Sequence, residues 1–136
     1  MKTPIIQEPP VKAKPFVDMD VLSSIHPELL EDAYMYVHCH FENTGDDMLI
    51  RIWKTTFLID RASALRAELI HAENITYAPI WTLVPDRHHF NFLLIFSRLP
   101  KSCTYFDLVE EIAQEGGFFV KDILRNESDV YHVTLK

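Results

Sequence analysis

Seven histidines are the side chains of this chain that both bind transition metals and change charge near neutral pH. His38 and His40 stand two apart in a stretch, Tyr34 to Glu42, that alternates apolar and polar residues. Successive strand side chains face opposite sides, so both imidazoles project from one face, about 7 Å apart along it. Imidazole nitrogen suits zinc, and a carboxylate completes a common ligand set. His71 and Glu73 repeat the spacing and offer a second pair if their segment is also extended. Together His38, His40, His71 and Glu73 form a candidate zinc site. Nothing in the spacing forces them to converge, because the chain has neither H-E-x-x-H nor C-x-x-C. The plainer reading, four half-exposed polar residues on an outer sheet face, is the favoured one.

Tyr34 and Tyr36 share the face of His38 and His40. If that face is open, Tyr34, Tyr36, His38 and His40 form a protein-contact patch, since interfaces favour such aromatic residues. If it is covered, the tyrosines are packing. Catalytic constellations are poorly supported. No G-x-S-x-G elbow is present. Cys39 lies between two histidines on one strand, so its thiol faces away from both. The acids Asp107, Glu110, Glu111 and Glu115 read as a solvated strand end and turn. Three glycines are too few and too scattered to cradle a phosphate. No catalytic residue and no cofactor-binding residue is assigned, and zinc is the only cofactor to consider.

The elements that must position these residues read as strands. Tyr34–Glu42 alternates, with Met35, Val37, Cys39 and Phe41 on the inner face. Asn43 to Asp47 carries turn chemistry. The chain then re-enters a strand at Met48, which makes a hairpin with the first, and Met48, Ile50 and Ile52 share one face. From Trp53 the apolar phase changes to Trp53, Phe57 and Ile59. That change predicts a bulge or a strand that leaves one sheet for another, with Trp53 buried. Residues 62–75 are ambiguous. Local propensity favours a helix from Ala62 to Ala72. A strand near Arg66–Tyr77 is preferred, because Ile75-Thr76-Tyr77 is β-prone and neighbouring strands need a partner. Pro79 and Pro85 make Ile80–Val84 a loop or edge strand. Phe90–Phe96 is apolar on both faces and reads as a central strand. Cys103–Val109, Phe118–Leu124 and Asp129–Leu135 complete about seven strands with short turns.

Composition sets the outer limits. The 136 residues suit one domain, and 48% apolar content supports a core. A net charge of −7 disfavours a nucleic-acid partner. No apolar run reaches the ~20 residues of a membrane helix, and the N-terminus has no apolar signal core. A cytoplasmic protein with free thiols at Cys39 and Cys103 is the expectation. Residues 1–32, with Pro4, Pro9, Pro10 and Pro15, read as a flexible, extended arm with a short helical turn near Pro27. Residues 33–136 form the folded domain.

Asn43-Thr44-Gly45, the run Ile52-Trp53-Lys54-Thr55-Thr56-Phe57-Leu58-Ile59-Asp60, and Leu99-Pro100-Lys101-Ser102 followed by Phe106-Asp107-Leu108-Val109-Glu110 carry a resemblance. In these stretches the chain resembles uncharacterised small bacterial proteins with an immunoglobulin-like β-sandwich, over roughly residues 33–136. The resemblance implies a sandwich and no activity. The expected fold is therefore all-β, a seven-stranded immunoglobulin-like antiparallel β-sandwich with an extended N-terminal arm. The expected function is a non-catalytic protein-interaction or accessory module, acting on a protein partner or by self-association. The alternative is a metal-binding protein or metal-dependent enzyme using the histidines.

Overall fold

The computed structural model describes residues 34–135, which contain nine strands and no helix. These are β1 Tyr34–Glu42, β2 Met48–Ile50, β3 Thr56–Asp60, β4 Arg66–Glu73, β5 Thr82–Val84, β6 His89–Ser97, β7 Tyr105–Glu110, β8 Phe119–Leu124 and β9 Val130–Leu135. Seven form one sheet in the order β8-β7-β3-β4-β6-β1-β9, and β2 and β5 form a separate two-stranded ribbon. All neighbours are antiparallel except β1 and β9, which run parallel. The fold is thus all-β and mostly antiparallel, as expected. The predicted N-terminal arm and its helical turn lie outside the described residues.

Strand β1 lies between β6 and β9, and its alternation explains the position. Val37 pairs with Leu94 on one side and Tyr131 on the other; Cys39 pairs with Phe92 and Val133. These inward residues join Leu58, Ala67, Phe96, Phe106 and Leu108 in one core cluster. The sheet curls until its distant parts meet across that core. Phe106 of β7 stands edge-on to Tyr131 of β9 at 5.0 Å. Phe118, entering β8, packs against Phe41 of β1 and Phe92 of β6. A sheet of this length twists, and coiling it nearly into a barrel closes one apolar face on itself. The ribbon caps this core with Ile50 and Val84.

One open side is pinned by buried charge. The Asp129 carboxylate accepts from Arg125 Nε at 2.7 Å, Arg98 Nε at 3.1 Å and the Tyr131 hydroxyl at 2.8 Å. Burial alone would raise this carboxyl. The Arg125 and Tyr131 hydrogen bonds, with the two guanidinium charges, outweigh it and hold the group below the ordinary value. The network joins the β8–β9 turn to the end of β6, where an unpaired carboxylate would be costly.

Several expectations are corrected. The stretches Tyr34–Glu42 and Met48–Ile50 are consecutive strands but not partners: β1 pairs with β6 and β9, and β2 with β5. The chain does leave one sheet for another between Ile50 and Thr56, as the sequence suggested. The inward phase, however, does not change. Ile50, Ile52, Thr56, Leu58 and Asp60 are all buried. Trp53 is half-buried, because it stays on the outward side under Arg51. The link is held in place by Glu110, which accepts the Trp53 backbone N–H at 2.9 Å and that of Phe118 at 3.0 Å. The ambiguous segment is a strand, β4, after a turn in which Asp60 accepts from the Ser63 hydroxyl and the Ala62 N–H.

Candidate functional site

The outward face of β4, β6, β1 and β9 can be read row by row from the register. One row runs His71, Ile95, Tyr36, Val130; the next runs Glu73, Leu93, His38, His132. Asn91 and His40, flanked by Thr134, form the third. Strand β6 therefore separates the two halves of the four-residue set. His38 and Glu73 are two strand spacings apart, roughly 10 Å, with Leu93 between them. His38 and His40 are brought together; His71 and Glu73 are brought together; the two pairs do not converge. His71 Nε2 and Glu73 Oε2 instead hydrogen-bond to each other.

His71 reaches that face only through a bulge. Ala67 is buried in the core and Leu69 packs against it, so strict alternation would point His71 and Glu73 inward as well. The register shifts between Leu69 and His71, and Ile70 is the inserted residue. Ile70 and His71 then both face outward, and Ala72 returns to the core side.

The tyrosines of the predicted contact patch are interior. Tyr34 and Tyr36 are 1% and 2% exposed and belong to a second apolar cluster with Ile70, Leu93, Ile95 and Val130. His38 and His40 are half-buried at its margin, and His132 beyond them is exposed. The parallel pairing places His38 beside His132, and their rings stack with centroids 4.6 Å apart. His40 Nε2 lies 3.2 Å from His132 Nδ1, and His40 Nδ1 lies 2.8 Å from Asn91 Oδ1. His132 and Asn91 were missed by sequence reasoning. The alternation in Tyr131-His132-Val133 marks a strand, but nothing local marks its parallel register with β1.

A second surface was missed altogether. In the ribbon, Leu49 pairs with Leu83, and Ile50 with Thr82. Ile50 and Val84 face the core; Leu49 and Leu83 face away at 53% and 54% exposure. Continuing the register sets Arg51 opposite Trp81, and the Arg51 guanidinium lies 3.8 Å from the Trp81 ring centroid. Trp81 is 49% exposed and Ile80 63%. Arg51 donates to Pro79 O at 3.1 Å, while its buried Nε has no hydrogen-bond partner among the described residues. A cleft of about 290 Å³ runs between this ribbon and the turn before β8, lined by Leu49, Arg51, Trp53, Trp81, Glu110 and Phe118. Burial raises the Glu110 carboxyl above its ordinary value, against the pull of its two backbone N–H partners and of Arg51. Gly117 is required beside it, since a Cβ there would stand 2.5 Å from Glu110 O.

Other candidates are chemically quiet. Both cysteines are free and buried, and burial raises both thiols. A shallow cavity of about 530 Å³ at Asp60, Arg61, Tyr105 and Asp122 has its charges already matched, Arg61 lying 3.4 Å from Asp107 and 3.2 Å from Asp122. Among the described residues no group of three His, Cys, Asp or Glu is arranged to hold a metal ion. No helix there is long and apolar enough to cross a membrane. No protein-family model, curated protein or solved structure matches the chain.

Proposed function

We propose that the chain is a non-catalytic protein-interaction or accessory module, and that it meets its partner through the outward face of the β2–β5 ribbon. The observation that carries this reading is the apolar pair Leu49 and Leu83 beside Trp81, all about half exposed on a face turned away from the core. A two-stranded ribbon needs only one apolar face to dock on its own domain. Contiguous apolar surface on the other face marks an interaction site, and tryptophan and arginine are the residues most often decisive there. The partner offers apolar side chains to Leu49, Leu83 and Trp81, and a carbonyl or carboxylate oxygen to Arg51. The scaffold behind the ribbon is an immunoglobulin-like one in this reading, with two halves of the curled sheet facing each other as Phe106 faces Tyr131. A cytoplasmic setting belongs to the same reading and agrees with two unpaired, buried thiols.

The test compares Trp81→Ala with Leu83→Asp in the full chain, using cross-linking and mass spectrometry to place the contact and titration of the purified partner to measure it. Each substitution is expected to weaken binding at least tenfold, about 1.4 kcal/mol, with thermal stability nearly unchanged. Tyr105→Ala, an exposed aromatic on β7, leaves binding intact. Sedimentation of the chain alone separates a foreign partner from a second copy. Cross-links that avoid the ribbon, or undiminished affinity in both variants, would overturn the reading.

A further inference from the structure

We infer that the edge of β2 takes up an extended segment of a partner protein as an added strand, in the cleft between the ribbon and the turn before β8. This rests on the ribbon being the contact surface and states how the partner is held there. Backbone direction carries the argument. Ile52 N–H donates to Thr76 O at 2.9 Å and Ile52 O accepts from Ala78 N–H at 2.9 Å, so Ile52 faces the side of β5, where Thr76 meets Thr82. Trp53 and Thr55 face the other way. Glu110 Oε2 accepts the Trp53 N–H at 2.9 Å, and Thr55 O accepts the Glu111 N–H at 2.8 Å. Backbone groups of an extended chain alternate in direction, so Leu49 and Arg51 turn their N–H and C=O groups to the side of Glu110. There β7 has ended. Strand β3 pairs with β7 as far as Thr56 and Glu110, and beyond Glu111 the chain bends away through Gly116, whose φ is 99°. Among the described residues β2 pairs with β5 alone, and no backbone hydrogen bond crosses the cleft to Leu49 or Arg51. Met48, Leu49, Ile50 and Arg51 all line that cleft, whichever face of β2 they occupy, as the edge of a strand does.

The cleft also states the chemistry of the occupant. Residues 112–118 wall its far side, so one extended segment fits, whereas the strands behind the edge of a folded second copy would run into that wall. Main-chain groups of the segment pair with Leu49 and Arg51, and its alternate side chains meet two surroundings. One set meets Phe41, Ile112 and Phe118; the other lies beside Leu49 and Trp81. The Arg51 guanidinium is already taken up by the Trp81 ring and Pro79 O. Glu115 is exposed, lines the cleft and forms no ion pair among the described residues. The segment therefore alternates apolar residues with residues that include a lysine or arginine for Glu115, whose stem adds apolar cover.

The test uses the isotopically labelled full chain, with the peptide acetyl-Val-Lys-Val-Leu-Val-Lys amide as the probe. Peptide is expected to shift the Leu49 and Arg51 amide signals and to slow their hydrogen exchange about tenfold. N-methylating either the valine amides or the intervening amides gives two further probes. One keeps its affinity and the other loses it about tenfold, because only one set of amides faces β2. A probe with glutamate in place of lysine binds Glu115→Lys more tightly than the natural chain. Leu83→Asp weakens the unmodified peptide, as the ribbon-face reading requires. Shifts at Trp81 without protection of Leu49 and Arg51 would overturn strand addition and leave the ribbon face standing. Protection with undiminished binding by Leu83→Asp would support strand addition and overturn the ribbon face. Equal loss from both N-methylated probes, slow exchange of Leu49 and Arg51 in the chain alone, or no shift at millimolar peptide would sink strand addition.

Discussion

The patch built by β4, β6, β1 and β9 and the β2–β5 ribbon are both sheet surfaces with apolar side chains on two faces. Their fates differ. On the patch, Tyr34, Tyr36, Leu93 and Ile95 are buried, and the outward side forms a second core. On the ribbon, Leu49, Leu83 and Trp81 keep about half their surface. The same local pattern therefore yields an interior in one place and an exposed apolar surface in another. An apolar outward residue is structural where it is covered and available for binding where it is not.

The sharpest way to break this comparison is to place the same charge on both surfaces. Ile95→Asp is expected to cost more than about 3 kcal/mol, because an unpaired carboxylate is buried and a packed side chain is lost. Leu83→Asp is expected to stay within about 0.5 kcal/mol. Urea unfolding measures both, and similar losses would erase the distinction between the surfaces.

A smaller effect concerns the carboxyl that ties the ribbon link to β7. Glu110→Gln leaves one of the Trp53 and Phe118 backbone N–H groups facing an amide N–H, a loss of about 1–3 kcal/mol. The pH dependence has a definite sign. The folded Glu110 carboxyl titrates above its unfolded value, so its protonated form is favoured by folding. That contribution is full below the unfolded carboxyl value near 4.3 and is lost as pH rises through the higher folded value. The advantage of the natural protein over Glu110→Gln should shrink across that window. Parallel pH profiles for the two would show that Glu110 is not perturbed by its burial.

The smallest expected effect is spectroscopic. Trp81→Phe should move stability by less than about 0.5 kcal/mol while removing the component of tryptophan fluorescence most open to acrylamide. Half-buried Trp53 is the only other tryptophan in the chain. Unchanged quenching would mean that Trp81 is shielded and the ribbon face is not open.

Much of the fold was legible because alternation reports burial directly. Phe90 to Phe96 was read as a strand covered on both sides, and it divides between the two apolar clusters as that reading requires. The preference for a strand over a helix after Ser63 was also sound, since β4 needs partners that only the sheet supplies. The candidate sites were less legible. His71 escapes the core by a one-residue bulge, which reverses the facing of every later residue in the strand. The phase change read at Trp53 came from treating Phe57 and Ile59 as inward. Asp60 and Thr56 occupy those inward positions, with Asp60 held by Ser63 and Ala62 and the Thr56 hydroxyl donating to Trp53 O at 2.6 Å.

By itself the sequence determined that Tyr34–Glu42 and Phe90–Phe96 are extended, that Met35, Val37, Cys39 and Phe41 share one side, and that His38 and His40 share the other. Side-chain direction along a strand has a period of two and needs only local information. Tertiary structure alone decided that β9 runs parallel to β1, placing His132 against His40. It also decided that β6 separates His38 from Glu73, and that the ribbon's outward leucines are uncovered. Each of these depends on which strand lies beside which, and pairing is set by closure of the whole core rather than by neighbouring residues.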